Sequence, residues 1–205
     1  MEGVARQQIA ARGRRLEYFT IGWNGLEGLV AVGIGVIAGS ISLVAFGVDS
    51  FIEVTSGAAL LWRMAVDADA ESRERNEKLS LRILGVCFLA LAVYITFESV
   101  SDLVGKKAPQ HSLPGIVLAC AALVVMPLLS RAKRRVGAEI GSRAMEADAR
   151  QTDFCLYLSV ILLVGLVANA TLGWWWADPL SALIMVPIIV REGLQSMKGE
   201  TCDCD

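Results

Sequence analysis

The chain has little charge and almost no histidine. Charged residues make up 20% of its 205 positions, hydrophobic residues make up 55%, and mean hydropathy is +0.54. A soluble globular domain typically carries about 25% charged residues, so this composition excludes an ordinary soluble domain. The single histidine, His111, lies outside the long apolar runs. No histidine and no nucleophile–base pair lies within those runs, which disfavours a membrane enzyme.

The sequence also lacks the marks of secretion and of nucleic-acid binding. Three of its five cysteines fall in apolar runs and two stand near the end, which is not a disulfide framework. The first apolar run follows a polar arm and is long enough to remain as a membrane span, so no cleaved signal peptide is predicted. A net charge of −2 gives no reason to expect nucleic acid as a partner.

Long apolar runs are abundant, and a crossing helix needs about 20 apolar residues. Residues 21–64 are about twice that length, so we divide them at Gly39 and Ser40 into a tight hairpin. The sequence then predicts an all-α polytopic membrane protein forming a single domain, followed by a short tail at 193–205. The six predicted helices lie near 17–38, 41–62, 79–103, 113–129, 148–172 and 175–192.

Basic residues predict the orientation, because cytoplasmic loops are enriched in lysine and arginine. They concentrate in the N-terminal arm, after helix 2, after helix 4 and in the tail, whereas the opposite side has only Lys106 and Lys107. Both termini are therefore predicted to be cytoplasmic, in a multi-pass protein of the cell (inner) membrane. This assignment places Lys133 in the connection after helix 4. The connection from Ala65 to Lys78 is predicted to be helical.

Two acids four residues apart, Asp49 and Glu53, lie within one of the most apolar stretches. A carboxylate at the centre of a spanning helix costs at least about 2.5 kcal/mol, so the pair needs a compensating partner. Helical offsets of three, four and seven place Ser42 and Ser56 on the same face. A bound cation is the natural partner, and hydrogen bonding to neighbouring helices is the alternative.

Helix 5 offers a second pair at the same spacing, Gln151 with Cys155. Two such pairs facing each other would supply the four ligands that tetrahedral zinc prefers. Packing or interhelical hydrogen bonding is the alternative role for both residues. Asp148 and Thr152 share their face, and Asp148 is expected to cap or hydrate the inner mouth. Asp153 is expected to lie outside the site and to pair with Arg150.

Further polar groups are candidates for accessory or proton-carrying roles. Asn24 and Glu27 lie near the middle of helix 1, and Glu27 is either a fifth ligand, a proton carrier or a hydrogen-bond partner of the site. Asp178 is expected to cap helix 6. The tail thiols, Cys202 and Cys204, either capture a soft metal or belong to a disordered end.

Three stretches make the chain resemble the membrane domain of a cation diffusion facilitator. They are GSISLVAFGVDSFIE at 39–53, ADARQTDFC at 147–155 and WADPLSAL at 176–183. The resemblance implies six helices and a proton-coupled exporter of divalent metal, a secondary transporter with the metal, protons and the bilayer as its partners. It also implies that metal is held by residues four apart on helices 2 and 5, here Asp49, Glu53, Gln151 and Cys155.

The chain departs from the family pattern in two respects. Gln151 and Cys155 stand where the family usually has histidine and aspartate, and a thiolate favours soft or borderline metals over manganese or magnesium. The usual cytoplasmic domain is missing, so a homodimer would form through membrane helices. We expect Zn²⁺ as the transported substrate. The alternatives are export of cadmium, copper or mercury, and a non-transporting membrane metal-binding or sensor protein.

Overall fold

The computed structural model describes residues 2–65, 70–107, 109–141 and 143–198, and these contain helices and turns but no strand. Six helices follow one another within these ranges. They are α1 (Glu2–Ala38), α2 (Ile41–Ala65), α3 (Ala70–Gly105), α4 (Leu113–Ile140), α5 (Arg143–Leu172) and α6 (Ala177–Lys198).

Each helix contains a segment long and apolar enough to cross a membrane, which confirms the predicted six-helix, all-α membrane class. These segments are Ala11–Ala38, Ile41–Trp62, Gly85–Gly105, Leu113–Glu139, Asp148–Leu172 and Ala177–Lys198. The connection after helix 2 is helical from Ala70 onward, as predicted, while residues 66–69 lie outside the described chain. The tail thiols Cys202 and Cys204 also lie outside it.

The helices pack mainly in three pairs, α1 with α2, α4 with α5, and α3 with α6. The first two pairs are hairpins, and each turns at a glycine with a positive φ, Gly39 at 66° and Gly141 at 64°. Glycine adopts this left-handed conformation without the steric cost that a Cβ imposes. The two hairpins contact each other through α1 with α4 and α2 with α5.

Glycines allow the backbones of α1 and α2 to approach closely. A Cβ built on Gly47 would lie 2.8 Å from the backbone nitrogen of Val32, and one built on Gly35 would lie 2.9 Å from that of Val44. Small residues are the usual means by which helices pack in membranes, where lipid is as apolar as leucine. This tight hairpin fixes the polar groups of α1 beside those of α2.

Helix α4 differs from the prediction, because it continues past 129 to Ile140. Its buried face also continues, through Met126, Ser130, Lys133 and Gly137 at spacings of four, three and four. Such spacing returns side chains to one face of a helix. Lys133 is therefore a buried helical residue, and its assignment to a connecting loop was wrong.

Candidate metal centre

The predicted pair on α2 lies on the buried face of the helix that contacts α5. Asp49, Glu53 and Cys155 are all buried. The Cys155 thiol lies beside the carboxylates of Asp49 and Glu53 and interacts with both. Two hard carboxylates and one soft sulfur from facing helices thus meet inside the bundle.

The α2–α5 register is held by a hydrogen bond between Thr152 and Glu53. The Thr152 hydroxyl donates to Glu53 Oε1 over 2.6 Å, while Glu53 Oε2 is buried without a hydrogen-bond partner. A buried carboxylate oxygen without a donor is costly unless a cation or proton compensates it. One oxygen of the Glu53 carboxylate is therefore held by Thr152, and the other has no hydrogen bond among the described residues.

Two of the predicted residues, Gln151 and Asn24, make no side-chain hydrogen bond to this cluster among the described residues. Gln151 is half-buried on α5, and no hydrogen bond of its amide is found among the described residues. Asn24 is fully buried on α1, and both polar atoms of its side chain lack a hydrogen-bond partner. An unsatisfied buried amide is rare in native proteins, so Asn24 has free hydrogen-bonding capacity inside the bundle.

Glu27 joins α1 to α2 at the level of the predicted pair. Its two oxygens accept hydrogen bonds from the Trp23 indole at 3.3 Å and from the Ser50 hydroxyl at 3.1 Å. Asn24, which the sequence suggested as a partner, makes no such bond. The Glu27 carboxylate interacts electrostatically with Asp49 and Glu53, so it belongs to the same acidic cluster.

Asp148 lies toward the first turns of α5, where it joins a buried network around Lys133. The Lys133 ammonium pairs directly with Asp148 and donates to Thr152 Oγ1 at 3.3 Å. Ser56 of α2 donates to the other oxygen of Asp148 at 3.2 Å. Asp148 is therefore bound by side chains of both α2 and α4.

Three participants were missed by the sequence analysis: Glu17, Lys133 and Glu192. Glu17 of α1 is buried, and its Oε2 lies 3.7 Å from Lys133 Nζ. Glu192 of α6 is half-buried and interacts with Asp49. All three lie near the ends of predicted spans, where charge is normally attributed to topology. The sequence could have indicated Lys133, because it continues the helical spacing of Met126 and Ser130 on the buried face of α4.

Within the described ranges, no group of three or more His, Cys, Asp or Glu side chains is arranged so that it could hold a metal ion in this structure. What the bundle provides is a cluster of carboxylates with one thiol, in which the only buried basic side chain among the described residues is Lys133. Such a cluster attracts cations, and its thiol favours borderline or soft metals.

Two predicted contacts are replaced by others. Asp153 pairs with Arg134, and not with Arg150. Asp178 caps the start of α2 and not that of α6: it accepts from the Ile41 amide at 2.9 Å and from the Ser40 hydroxyl at 2.6 Å, and it also accepts from the Ser42 hydroxyl. The exposed amides at a helix N-terminus attract a carboxylate, and those of α2 lie beside α6. The Ser42 hydroxyl is therefore bound to Asp178 at the start of α2, and not to Asp49.

Comparison with known proteins identifies the family of this bundle. Residues 21–199 match the cation efflux transmembrane domain. The chain is 27% identical over 161 residues to the cation-efflux pump FieF of Shewanella oneidensis, covering 76% of this chain and 54% of the pump.

Two further relatives show the same partial coverage. An uncharacterized transporter of Synechocystis is 27% identical, with 74% of this chain and 51% of the relative covered. Transmembrane protein 163 of Xenopus laevis is 30% identical, with 58% and 42% covered. The chain spans about half the length of the curated relatives it matches.

Proposed function

Since the chain belongs to the cation efflux family, we propose that it is a secondary transporter that exports a divalent transition metal, with zinc as the principal cargo, in exchange for protons. We place it in the cell (inner) membrane with both termini cytoplasmic, as a homodimer formed through membrane helices. Asp49, Glu53 and Cys155 bind the metal with Gln151 as a fourth, neutral ligand. Asn24, Glu27 and Asp148 are accessory groups.

The observation that carries this proposal is the meeting of Asp49, Glu53 and Cys155 between α2 and α5, with Glu53 Oε2 unpartnered. The two carboxylates and the thiol bind metal in their deprotonated forms. Protonation of the same groups weakens the site, so one set of side chains can exchange a metal ion for protons. No further cofactor is needed for that exchange.

Metal binding to the purified protein tests the site. A panel of zinc, cadmium and manganese is titrated, and bound metal is counted by elemental analysis. We expect Asp49→Ala and Glu53→Ala each to abolish zinc binding, and Asp49→Asn to do the same because the loss is one of charge. Asp102→Ala, which removes an acid paired with Lys107, is the control. Normal transport in either alanine variant would remove this site from the mechanism.

Transport distinguishes an exporter from a metal-binding sensor, the second candidate, which the neutral Gln151 favours. Labelled zinc is offered to inside-out vesicles containing the protein. An exporter accumulates zinc in the lumen, and faster when the lumen is acidic, because protons there displace metal from the ligands. Binding without accumulation would support the sensor. Zinc accumulation at an unchanged rate after the pH gradient is collapsed would exclude proton exchange.

A further inference from the structure

The ammonium group of Lys133 is buried inside the bundle. Its side chain is 0% exposed, and its Nζ lies 3.7 Å from Glu17 Oε2 and 3.9 Å from Glu53 Oε1, in addition to its direct pair with Asp148. A lysine within a span is costly and needs paired charges. Here helices α1, α2 and α5 each supply one carboxylate, so the position is built by the fold and is not a chance surface pair.

The ammonium also lies against an acid that we propose as a metal ligand. Thr152 connects the two: it accepts from Lys133 at 3.3 Å and donates to the Glu53 oxygen that Lys133 approaches, at 2.6 Å. Lys133 is near the C-terminal end of α4, and Glu17 and Asp148 are near the N-terminal ends of α1 and α5. All three therefore lie toward the same end of the bundle, beyond Glu53 and Asp49.

Glu17 shows that this end has more anionic capacity than Lys133 satisfies. Both of its carboxylate oxygens are buried without a hydrogen bond, and Lys133 is the one cation near it in the described part of the chain. A small residue, Gly57, lies against it, where a Cβ would be 3.2 Å from Glu17 Oε2. Three carboxylates thus share one ammonium, so this end of the bundle keeps a net negative charge when all four groups are ionised.

We propose that Lys133 is a tethered competitor of the transported metal. Its ammonium occupies Glu17, Asp148 and Glu53, a cation subsite on the path between this end of the bundle and the proposed metal centre. The inference rests on the proposed function. A positive charge about 4 Å from a ligand oxygen opposes a second cation there. By reciprocity, metal at Glu53 weakens the hold of Lys133 on that acid. Lys133 thus keeps affinity low enough for release.

The test replaces the charge while keeping a long side chain. We expect Lys133→Met to lower the Kd for zinc and cadmium at least about tenfold, and to lower both KM and the maximal transport rate, because bound metal leaves more slowly. Lys133→Arg, which keeps the charge, should retain a Kd near that of the unsubstituted protein. Lys107→Met is the control: this lysine also pairs with an acid, Asp102 at 3.1 Å, but is 65% exposed and lies outside the site.

Lys133→Met leaves buried carboxylates without a compensating charge, so this variant can misfold. The substitution is therefore also made in a second background, in which one of those carboxylates is neutral. Lys133→Met combined with Asp148→Asn is compared with Asp148→Asn alone, and the lysine substitution should again tighten zinc binding. An unchanged or weaker affinity in both backgrounds overturns the inference. If zinc still binds and Asp49→Ala still abolishes binding, the proposed function survives that failure. If the unsubstituted protein binds no zinc, function and inference fall together.

Discussion

At the scale of single residues, the sulfur of Cys155 is the group that we expect to decide the metal preference. It is buried beside Asp49 and Glu53, in a position where the family resemblance predicts aspartate. A thiolate prefers zinc and cadmium to manganese, and a hydroxyl is a poor replacement for it. We therefore expect the metal preference of the proposed site to depend on this one side chain.

We expect Cys155→Ser to weaken cadmium and zinc binding by about tenfold or more, equal to about 1.4 kcal/mol, with little change for manganese. Cys155→Asp should shift the preference toward harder metals. Titration of the metal panel measures both. Cys120→Ser, which alters an exposed cysteine on α4, is the matched control. An equal loss for all metals would mean that Cys155 contributes packing and not ligation.

Glu27 is the second residue whose role a single substitution separates. Its two oxygens accept hydrogen bonds from Trp23 and Ser50, and the carboxylate interacts with Asp49 and Glu53. A proton carrier fits this position. Glutamine keeps the shape and can still accept one of the two hydrogen bonds.

Glu27→Gln should therefore retain equilibrium zinc binding and lose transport driven by a pH gradient. Binding titration and vesicle uptake are measured on the same preparation, with Glu139→Gln, an exposed acid of α4, for comparison. A fall in affinity of about tenfold or more would make Glu27 a ligand. If neither binding nor transport changes, Glu27 is only a structural hydrogen-bonding group.

At the scale of helices, the α1–α2 hairpin sets the position of the acidic cluster. Gly47 faces α1 so closely that an added Cβ would lie 2.9 Å from Ala31 Cβ and 2.8 Å from the Val32 backbone. Neither neighbour is the far end of a flexible side chain, so the helices must separate. Gly47→Ala should lower stability by about 1–3 kcal/mol, as overpacking usually does.

The midpoint of thermal unfolding in detergent measures this effect. Gly33→Ala on α1 is the control, because a Cβ there meets nothing within 4 Å. Alanine also favours a helix over glycine by up to about 1 kcal/mol, so this control should match or exceed the unsubstituted midpoint. Equal midpoints for the two variants would show that the hairpin contact is loose.

The sequence predicts the helices well because apolar length and glycine turns are local properties. It also places Asp49 and Glu53 on one face, since helical spacing is local too. It misassigned Lys133, because counting basic residues outside the spans treats every lysine near a span end as solvated. The sequence could not predict the partner of Asp178 either. Ile41 is distant in the chain, and its amide reaches Asp178 only because α2 packs beside α6.

At the scale of the whole molecule, six crossings place both ends of the described bundle on one side of the membrane. The arginines near the start of α1 and the end of α4, Arg12, Arg15, Arg131 and Arg135, surround one cavity of about 690 Å³. Lys107 lies beyond the other end of the bundle, after α3. Because basic residues favour the cytoplasmic side, the arginine-lined end is predicted to face the cytoplasm. If the protein exports metal as proposed, the Lys133 subsite then faces the compartment that supplies it.

Cysteine labelling tests that orientation. In a background carrying Cys202→Ser and Cys204→Ser, a charged maleimide that cannot cross membranes should label Lys107→Cys in intact cells. It should label Lys198→Cys only after the membrane is opened. The parent background is the control for Cys87 and Cys120, which lie within spans. The reverse pattern would place Lys133 and the arginine cavity on the outer side, and metal would then meet the tethered ammonium on leaving the cell and not on entering the transporter.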